Sequence, residues 1–466
     1  MPSTEQYDNL IIGSGEAGKY LAWTLASAGQ RTALVERKLI GGSCPNIACL
    51  PTKNVIHSAK IASFAHRAAE FGLEGEPLST DMQGVRRRKR EMVDGLVSIQ
   101  LERFRTSGVD LVMGQAHFTG AKTVQVQLND GGERQITGER VFLSLGTRAS
   151  IPGIPGLASA QPMTHVEALE LDRVPGHLIV MGGGYVGLEL AQAMRRFGSR
   201  VTVIERASQL LQHDDPDVGT ALLQLFKDEG LEVLLNTTVL AVEGFSGGQV
   251  SLKVEGEGGE STISGTHLLV AVGRTPNTKG VGLEETNVAL DSRGYITVNE
   301  RLETTAPNVW AMGDCAGSPQ FTHAAFDDFR IVRDNLCGGN RTTRGRLIPS
   351  CMFTDPELVR VGLSESEARR LGIAYRLAKM PIANVLRTRT VSEPRGFMKM
   401  LLATDSDRIL GFTAFGVDAS ELLATVQTAM LGAVPYTTLR DAIFTHPTIA
   451  EGFGALLMAP AAAPPS

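Results

Sequence analysis

The chain has 466 residues, 42% of them hydrophobic and 20% charged, which makes it too long for one ordinary core and too apolar to be disordered. Its 45 basic and 50 acidic residues leave a formal charge of −5, so no general attraction to nucleic acid or to an anionic membrane is implied. Five cysteines, at 44, 49, 315, 337 and 351, are odd in number and uneven in spacing, which argues against a secreted disulfide framework.

The opening MPSTEQYDNLIIGSG has no basic segment followed by a long apolar run and a small-residue cleavage site. It enters a short apolar strand at once, which reads as a cytoplasmic protein. No stretch approaches the roughly 18 apolar residues of a membrane-crossing helix, so no membrane partner is expected.

The first strand leads into NLIIGSGEAGKYLAWTLASAGQRTALVER, where Gly13, Gly15 and Gly18 form a G-x-G-x-x-G turn. An amphipathic helix follows and ends at Gly29, and a second apolar strand ends at Glu36. The same pattern recurs from Leu178 to Arg206, with Gly182, Gly184, Gly187, Gly198 and Glu205 at the matching places. In such a unit the glycines permit a tight turn and close backbone approach, and the helix N-terminus receives a pyrophosphate. Two copies in strand–turn–helix context, each with its acid 23 positions after the first glycine, predict two bound dinucleotides. Glu36 and Glu205 are then the expected ribose acceptors. A carboxylate at 205 favours the 2′-hydroxyl of NADH, while Arg206 beside it would accommodate the 2′-phosphate of NADPH, so both cofactors stand.

Just after the first unit, GGSCPNIACLPTK places Cys44 and Cys49 near the first nucleotide site. Cysteines in close sequence in a cytosolic setting read as redox-active, and a helical turn between them would bring them to disulfide distance. No nearby Cys or His completes a zinc site, so no metal is expected. Lys53, four residues after Cys49, shares its helical face and would lower a thiolate pKa. Cys315, Cys337 and Cys351 read as small buried residues. Residues 55–105 show helical spacing, with the basic run Arg86–Arg90 read as a solvated helix face. Alternating segments at 110–145 and 238–272 predict an antiparallel ribbon in each nucleotide unit. Beyond Arg346 no glycine fingerprint recurs, which marks a separate C-terminal domain. The tail after Leu457, MAPAAAPPS, is too rich in Pro and Ala to form a packed element.

These landmarks, G-S-G-E-A-G (13–18), G-G-S-C-P-N-I-A-C-L-P-T-K (41–53), G-G-G-Y-V-G-L-E (182–189), A-V-G-R-T-P-N (271–277), A-M-G-D-C-A (311–316), F-T-D-P-E (353–357) and H-P-T-I-A-E (446–451), cover essentially the whole chain. Together they resemble the FAD-dependent pyridine nucleotide–disulfide oxidoreductases of the glutathione reductase, lipoamide dehydrogenase and mercuric reductase type, with motif wording nearest the mercuric-reductase-like members. The resemblance implies an α/β fold of two Rossmann-like domains, for FAD and NAD(P), plus a C-terminal α+β dimerisation domain. The expected boundaries are 1–150 and 276–346 for the two parts of the FAD domain, 151–275 for the NAD(P) domain and 347–466 for the interface domain.

By the same resemblance FAD contacts Gly13, Gly15, Gly18, Glu36, Lys53, Gly146 and Asp314, and the nicotinamide cofactor contacts Gly182, Gly184, Gly187, Glu205, Arg206 and Gly273. Lys53 and Glu189 pair beside the flavin on its nicotinamide side. Hydride enters the flavin from NAD(P)H, and two electrons pass to a Cys44–Cys49 disulfide. Cys49 is the flavin-proximal thiol and Cys44 the interchange thiol. His446, oriented by Glu451, is the acid/base and acts across a homodimer interface on the partner's cysteines. The expected acceptor is a small-molecule or protein disulfide. Hg(II) reduction, dihydrolipoamide oxidation and a non-catalytic NAD-binding sensor are the alternatives; the mercuric type's accessory cysteine pairs do not occur in this sequence.

Overall fold

A strand covered on both faces carries a continuous apolar run, and each glycine unit begins with one. In the computed structural model, which describes residues 4–75 and 79–458, β1 (Glu5–Ile12), α1 (Glu16–Ser27) and β2 (Thr32–Glu36) build the first unit. β1 and β2 run parallel, with Asn9 opposite Thr32 and Ile12 opposite Val35. Leu21, Ala22 and Leu25 of α1 pack on Ile11 and Leu34 of the sheet, and a fully buried Leu or Ile contributes about 1.5–3 kcal/mol by leaving water.

Three helices follow: α2 (Ser43–Asn46), α3 (Cys49–His66) and α4 (Met82–Ser107). The segment joining Cys44 to Cys49 is not the continuous helical turn expected from the spacing. Ile47 and Ala48 leave helical geometry, with ψ of Ala48 at −104°, and Cys49 opens α3. Pro51 explains the break: it has no N–H for the carbonyl of Ile47, and its ring crowds that carbonyl, so the helix cannot extend upstream.

The ribbon expected after α4 is a meander of β3 (Asp110–Gly120), β4 (Thr123–Leu128) and β5 (Glu133–Leu143). β3 starts parallel to β2 and continues antiparallel to β4, while β5 returns parallel to β1. β15 (Val309–Ala311) extends the sheet beside β5. The meander thus shares its strands with the nucleotide sheet.

The chain then leaves through β6 (Thr147–Ala149) and the short α5 (His165–Ala168). The second unit is β7 (His177–Met181), α6 (Tyr185–Arg196) and β8 (Arg200–Ile204), followed by α7 (Pro216–Asp228) and β9 (Glu232–Leu234). Its parallel sheet runs β13-β7-β8-β9, with β13 at His267–Val270. The second expected ribbon is the antiparallel sheet of β10 (Thr238–Gly244), β11 (Val250–Gly256) and β12 (Gly259–Gly265). The return strand β14 (Arg274–Pro276) pairs antiparallel with β6, so the outward and homeward crossings lie side by side. α8 (Thr322–Leu336) then packs on α1.

The C-terminal part is an antiparallel sheet ordered β16-β17-β20-β19-β18. Its strands are β16 (Ser350–Met352), β17 (Glu357–Gly362), β18 (Tyr375–Pro381), β19 (Phe397–Ala403) and β20 (Ile409–Gly416), and the helix Ala419–Leu431 packs on β17 and β20. One buried cation ties this sheet to the second nucleotide unit. Lys399 on β19 donates to Asp215 and Asp217 at the start of α7, both at 2.8 Å, and to Glu365 at 3.0 Å. Burial works to raise the Asp215 pKa, but the bonds from Lys399 and Ser366 outweigh it and hold the group at about 2. The three carboxylates are therefore compensated by a resident ammonium.

The basic run on α4 is the solvated face expected of it at Arg87, Arg88 and Arg90, which are exposed, but not at Lys89. Lys89 is buried against Glu170, Arg90 donates to the same carboxylate at 2.6 Å, and Arg88 caps the Asn54 carbonyl. The run is thus an anchor for the segment that leads into the second unit. Among the described residues no helix is long and apolar enough to cross a membrane. The Pro/Ala-rich tail from 459 lies outside the described residues.

Candidate active site

Both glycine turns are shaped by close approach. Gly13 has φ +99°, and a Cβ there would stand 2.3 Å from the Ser144 carbonyl oxygen; Gly182, at φ +109°, would meet the Ala271 carbonyl at 2.6 Å. Gly18 and Gly187 are held as tightly, at 2.2 Å and 2.5 Å from the carbonyls of Gly13 and Gly182. Gly15 and Gly184 instead cap α1 and α6, with no side chain bonded to the first-turn N–H groups. A Cβ at Gly184 would meet nothing within 4 Å. Two uncapped helix ends, the second with open space at Gly184, suit two pyrophosphates, so the residues present fit FAD and a nicotinamide dinucleotide.

The two acids differ. Buried Glu36 accepts bonds from Ser14 N and Oγ through Oε2, and from Lys38 N and Leu39 N through Oε1. Glu205, half-buried, accepts from Gly183 N at 2.6 Å and Ala207 N at 2.8 Å, and Arg206 beside it is exposed. Gly146, at φ +63°, and Gly273, at φ +137°, precede the paired strands β6 and β14. Next to them Thr147 Oγ1 donates to Asp314 Oδ2 at 2.6 Å, and Arg274 Nε donates to Thr147 Oγ1 at 2.7 Å. Asp314 is thus fixed where the crossings meet the first unit.

Cys44 and Cys49 are brought together as free thiols. The hydrogen bond from Cys44 lowers the Cys49 pKa; burial opposes it, and the Thr322 hydroxyl and the Lys53 charge add to the lowering, leaving about 6. The same shared bond and burial push the Cys44 thiol up. The first proton of the pair is therefore lost to give a thiolate centred on Cys49. Thr322, at 3.3 Å from Cys49 Sγ, opens α8. Sequence reasoning missed it, because a partner 273 positions away leaves no local signal.

Lys53 Nζ donates to Glu189 Oε2 at 2.7 Å, and the other carboxylate oxygen, Oε1, accepts from Phe353 N. Lys53 also stands 4.8 Å from the Phe353 ring centroid. This pair joins α3 to α6, so the dithiol and the second unit meet at one ion pair. His446 Nδ1 lies 2.8 Å from Glu451 Oε2, with the imidazole 67% exposed. His446 is not among the groups acting most strongly on Cys44 or Cys49 within the chain. Of the remaining cysteines, Cys315 is buried as expected; Cys351 is only partly so, and Cys337 is exposed because α8 ends there.

The chain matches the pyridine nucleotide-disulphide oxidoreductase profile over residues 7–328 and that family's dimerisation domain over 348–457. It belongs to this family, and is an FAD-dependent, NAD(P)H-using disulfide oxidoreductase with the family's dimerisation domain. It is 36% identical over 457 residues to the probable pyridine nucleotide-disulfide oxidoreductase RclA of Escherichia coli strain K12, covering 97% of this chain and 98% of the relative. A mercuric reductase of Acidithiobacillus ferrooxidans is 33% identical, covering 95% of this chain and 80% of that one. The solved Cu(II) complex of the HOCl-induced flavoprotein disulfide reductase RclA from Escherichia coli superposes with a TM-score of 0.89 at 35% identity, over 97% of this chain and 99% of that one.

Proposed function

We propose that Cys44 is the thiol that exchanges with a disulfide acceptor, Cys49 the thiolate that resolves the mixed disulfide, and the partner subunit's His446 the acid/base. The observation that supports this most is the asymmetry of the pair: the acidic thiol is the one beside Lys53 and Thr322. FAD, held along the first unit by Gly13, Gly15, Gly18, Glu36, Gly146 and Asp314, supplies a two-electron relay between NAD(P)H and the dithiol. The second unit, through Gly182, Gly184, Gly187, Glu205 and Gly273, would hold the nicotinamide cofactor, with NADH preferred because a carboxylate at 205 would repel a 2′-phosphate. Lys53 keeps a cation at the junction, and Glu189 holds it in place. His446 is exposed in one chain and tethered by Glu451, which suits a group that works on a second copy: its proton goes to the departing thiolate of the acceptor. A cytoplasmic homodimer with shared active sites follows.

Reducing the purified protein anaerobically with NADH tests this reading. A long-wavelength thiolate–flavin band is expected in the wild type and absent in Cys49→Ser, whose turnover falls at least about a thousandfold. Wild type without the band would overturn the assignment. Reduction of a metal ion is a second reading, favoured by the Cu(II) complex of RclA; NADH consumption with Cu(II) or Hg(II) but with no disulfide would select it.

A further inference from the structure

One face of α6 grips a short turn of the C-terminal domain. Glu189, Gln192 and Arg196 are spaced to share that face, and each bonds the turn between β16 and β17. Glu189 Oε1 accepts from Phe353 N at 2.7 Å. Gln192 Oε1 accepts from Asp355 N, and its Nε2 donates to Asp355 O, both at 2.8 Å. Arg196 donates to Asp355 Oδ2 at 2.6 Å, and Lys60, from α3, reaches Oδ1 at 3.0 Å. The turn is therefore held between α6 and the helix that opens at Cys49 and carries Lys53.

Of the three, only Gln192 holds both backbone groups of one residue. It is buried, and its Nε2 also donates to Glu229 Oε1 at 2.9 Å, so both hydrogens of the amide are used. The setting accepts an amide in one orientation only, because Asp355 N must donate to it and Asp355 O must accept. With Asp355 held at both ends, Phe353 N, two residues before it, is fixed against Glu189. Burial works to raise the Asp355 pKa, but the charges of Arg196 and Lys60 outweigh it, so this carboxylate stays charged. Among the described residues Glu189 is the only carboxylate paired with Lys53.

We propose that Gln192 is a positioning residue for flavin reduction: by holding Asp355, and through it Phe353 N, it fixes the Glu189 carboxylate and so the Lys53 ammonium. The inference rests on the reading of Lys53 and Glu189 given above and extends it outward into the C-terminal domain. Gln192 stands about 12 Å along α6 from Gly184, out of reach of a nucleotide at the helix end, so it acts through the turn alone. In the step concerned NADH loses a hydride to become NAD+, and that hydride's two electrons and proton pass to the flavin. Groups at such a junction must be held to within about 0.5 Å, which is the work of the hydrogen bonds behind them.

Stopped-flow reduction of the flavin-loaded enzyme by saturating NADH, followed from acid to mildly alkaline pH, tests this. Gln192→Glu keeps the bond from Asp355 N, but its carboxylate has no hydrogen for Asp355 O and repels Glu229. The charges facing that position are Arg196 on α6, Glu229 after α7, Asp355 in the turn and, beyond it, Lys60 on α3. Relative to wild type at the same pH, reduction by Gln192→Glu should be about tenfold slower in alkaline solution and recover as acid protonates the new carboxyl and restores a donor. Gln192→Met, similar in volume but without donors, should be slow at every pH with unchanged NADH affinity. Its Cys49 thiolate midpoint should also rise by about half a unit, because Glu189 without the Phe353 donor neutralises Lys53 more fully. An unslowed Gln192→Glu, a defect that ignores pH, or a midpoint that stays put in Gln192→Met would overturn the inference. Loss of flavin from both variants would mark a merely structural role and overturn it too. If Glu189→Gln itself reduces at the wild-type rate, the reading of the ion pair falls; if Glu189→Gln is slow while Gln192→Glu is not, the inference falls alone.

Discussion

The two glycine units share a fold and a fingerprint, yet they hold their acids differently. Glu36 is buried and accepts four hydrogen bonds, two from Ser14 in the glycine turn and two from Lys38 and Leu39 on the loop that runs on to Cys44. Glu205 accepts two and sits half-exposed beside Arg206. A buried acid locked into its loop suits a nucleotide that stays, while a half-exposed one suits a nucleotide that enters and leaves at every turnover. The dithiol also lies beside the first unit, since α2 and α3 grow directly from its end, and the second unit meets it through Glu189 and Lys53.

The sharpest way to break this comparison is at the paired glycines. Gly13→Ala and Gly182→Ala each force a side chain into positive φ and onto a carbonyl, at a cost of about 1–3 kcal/mol each. The first should lower the flavin-to-protein ratio of the purified enzyme; the second should leave it near one while reduction by NADH slows. Equal flavin loss in both would show that the units do not divide the work. At the acids the effects are smaller. Glu36→Ala leaves four donors unmatched and should cost about 3 kcal/mol in denaturant unfolding, against about 1–2 kcal/mol for Glu205→Ala. Glu205→Ala should also shift the KM ratio about tenfold toward NADPH. An unchanged ratio would detach Glu205 from cofactor choice.

The smallest effect sharpens the dithiol end. A thiol lowered from its ordinary 9.0 to about 6 is charged above that value, so the thiolate band of the reduced enzyme should be full at neutral pH and fade as pH falls through about 6. Removing a cation by Lys53→Gln favours the protonated form and should raise that midpoint by about one unit. A midpoint that stays put would mean that Cys44 and Thr322 alone set it.

The repeat was legible because it rests on local signals: glycine spacing, apolar strands, and an acid at fixed distance. The two ribbons were legible through alternation. The interruption at Ala48 was not legible in the spacing of Cys44 and Cys49, which a helical turn also satisfies; it comes from Pro51, which forbids that turn. The role of Arg86–Arg90 was hidden for another reason, as its partner Glu170 lies some eighty residues further on.

The pairing of β6 with β14 places departure and return of the second nucleotide unit a few ångströms apart, while β15 resumes beside β5. The first sheet is therefore completed whatever happens between these crossings. The second nucleotide unit is thus an insertion between residues 150 and 273, so a graft of a differently specific nicotinamide module there leaves the strands of the first sheet in place but must keep Glu189 for Lys53 and Asp215 and Asp217 for Lys399.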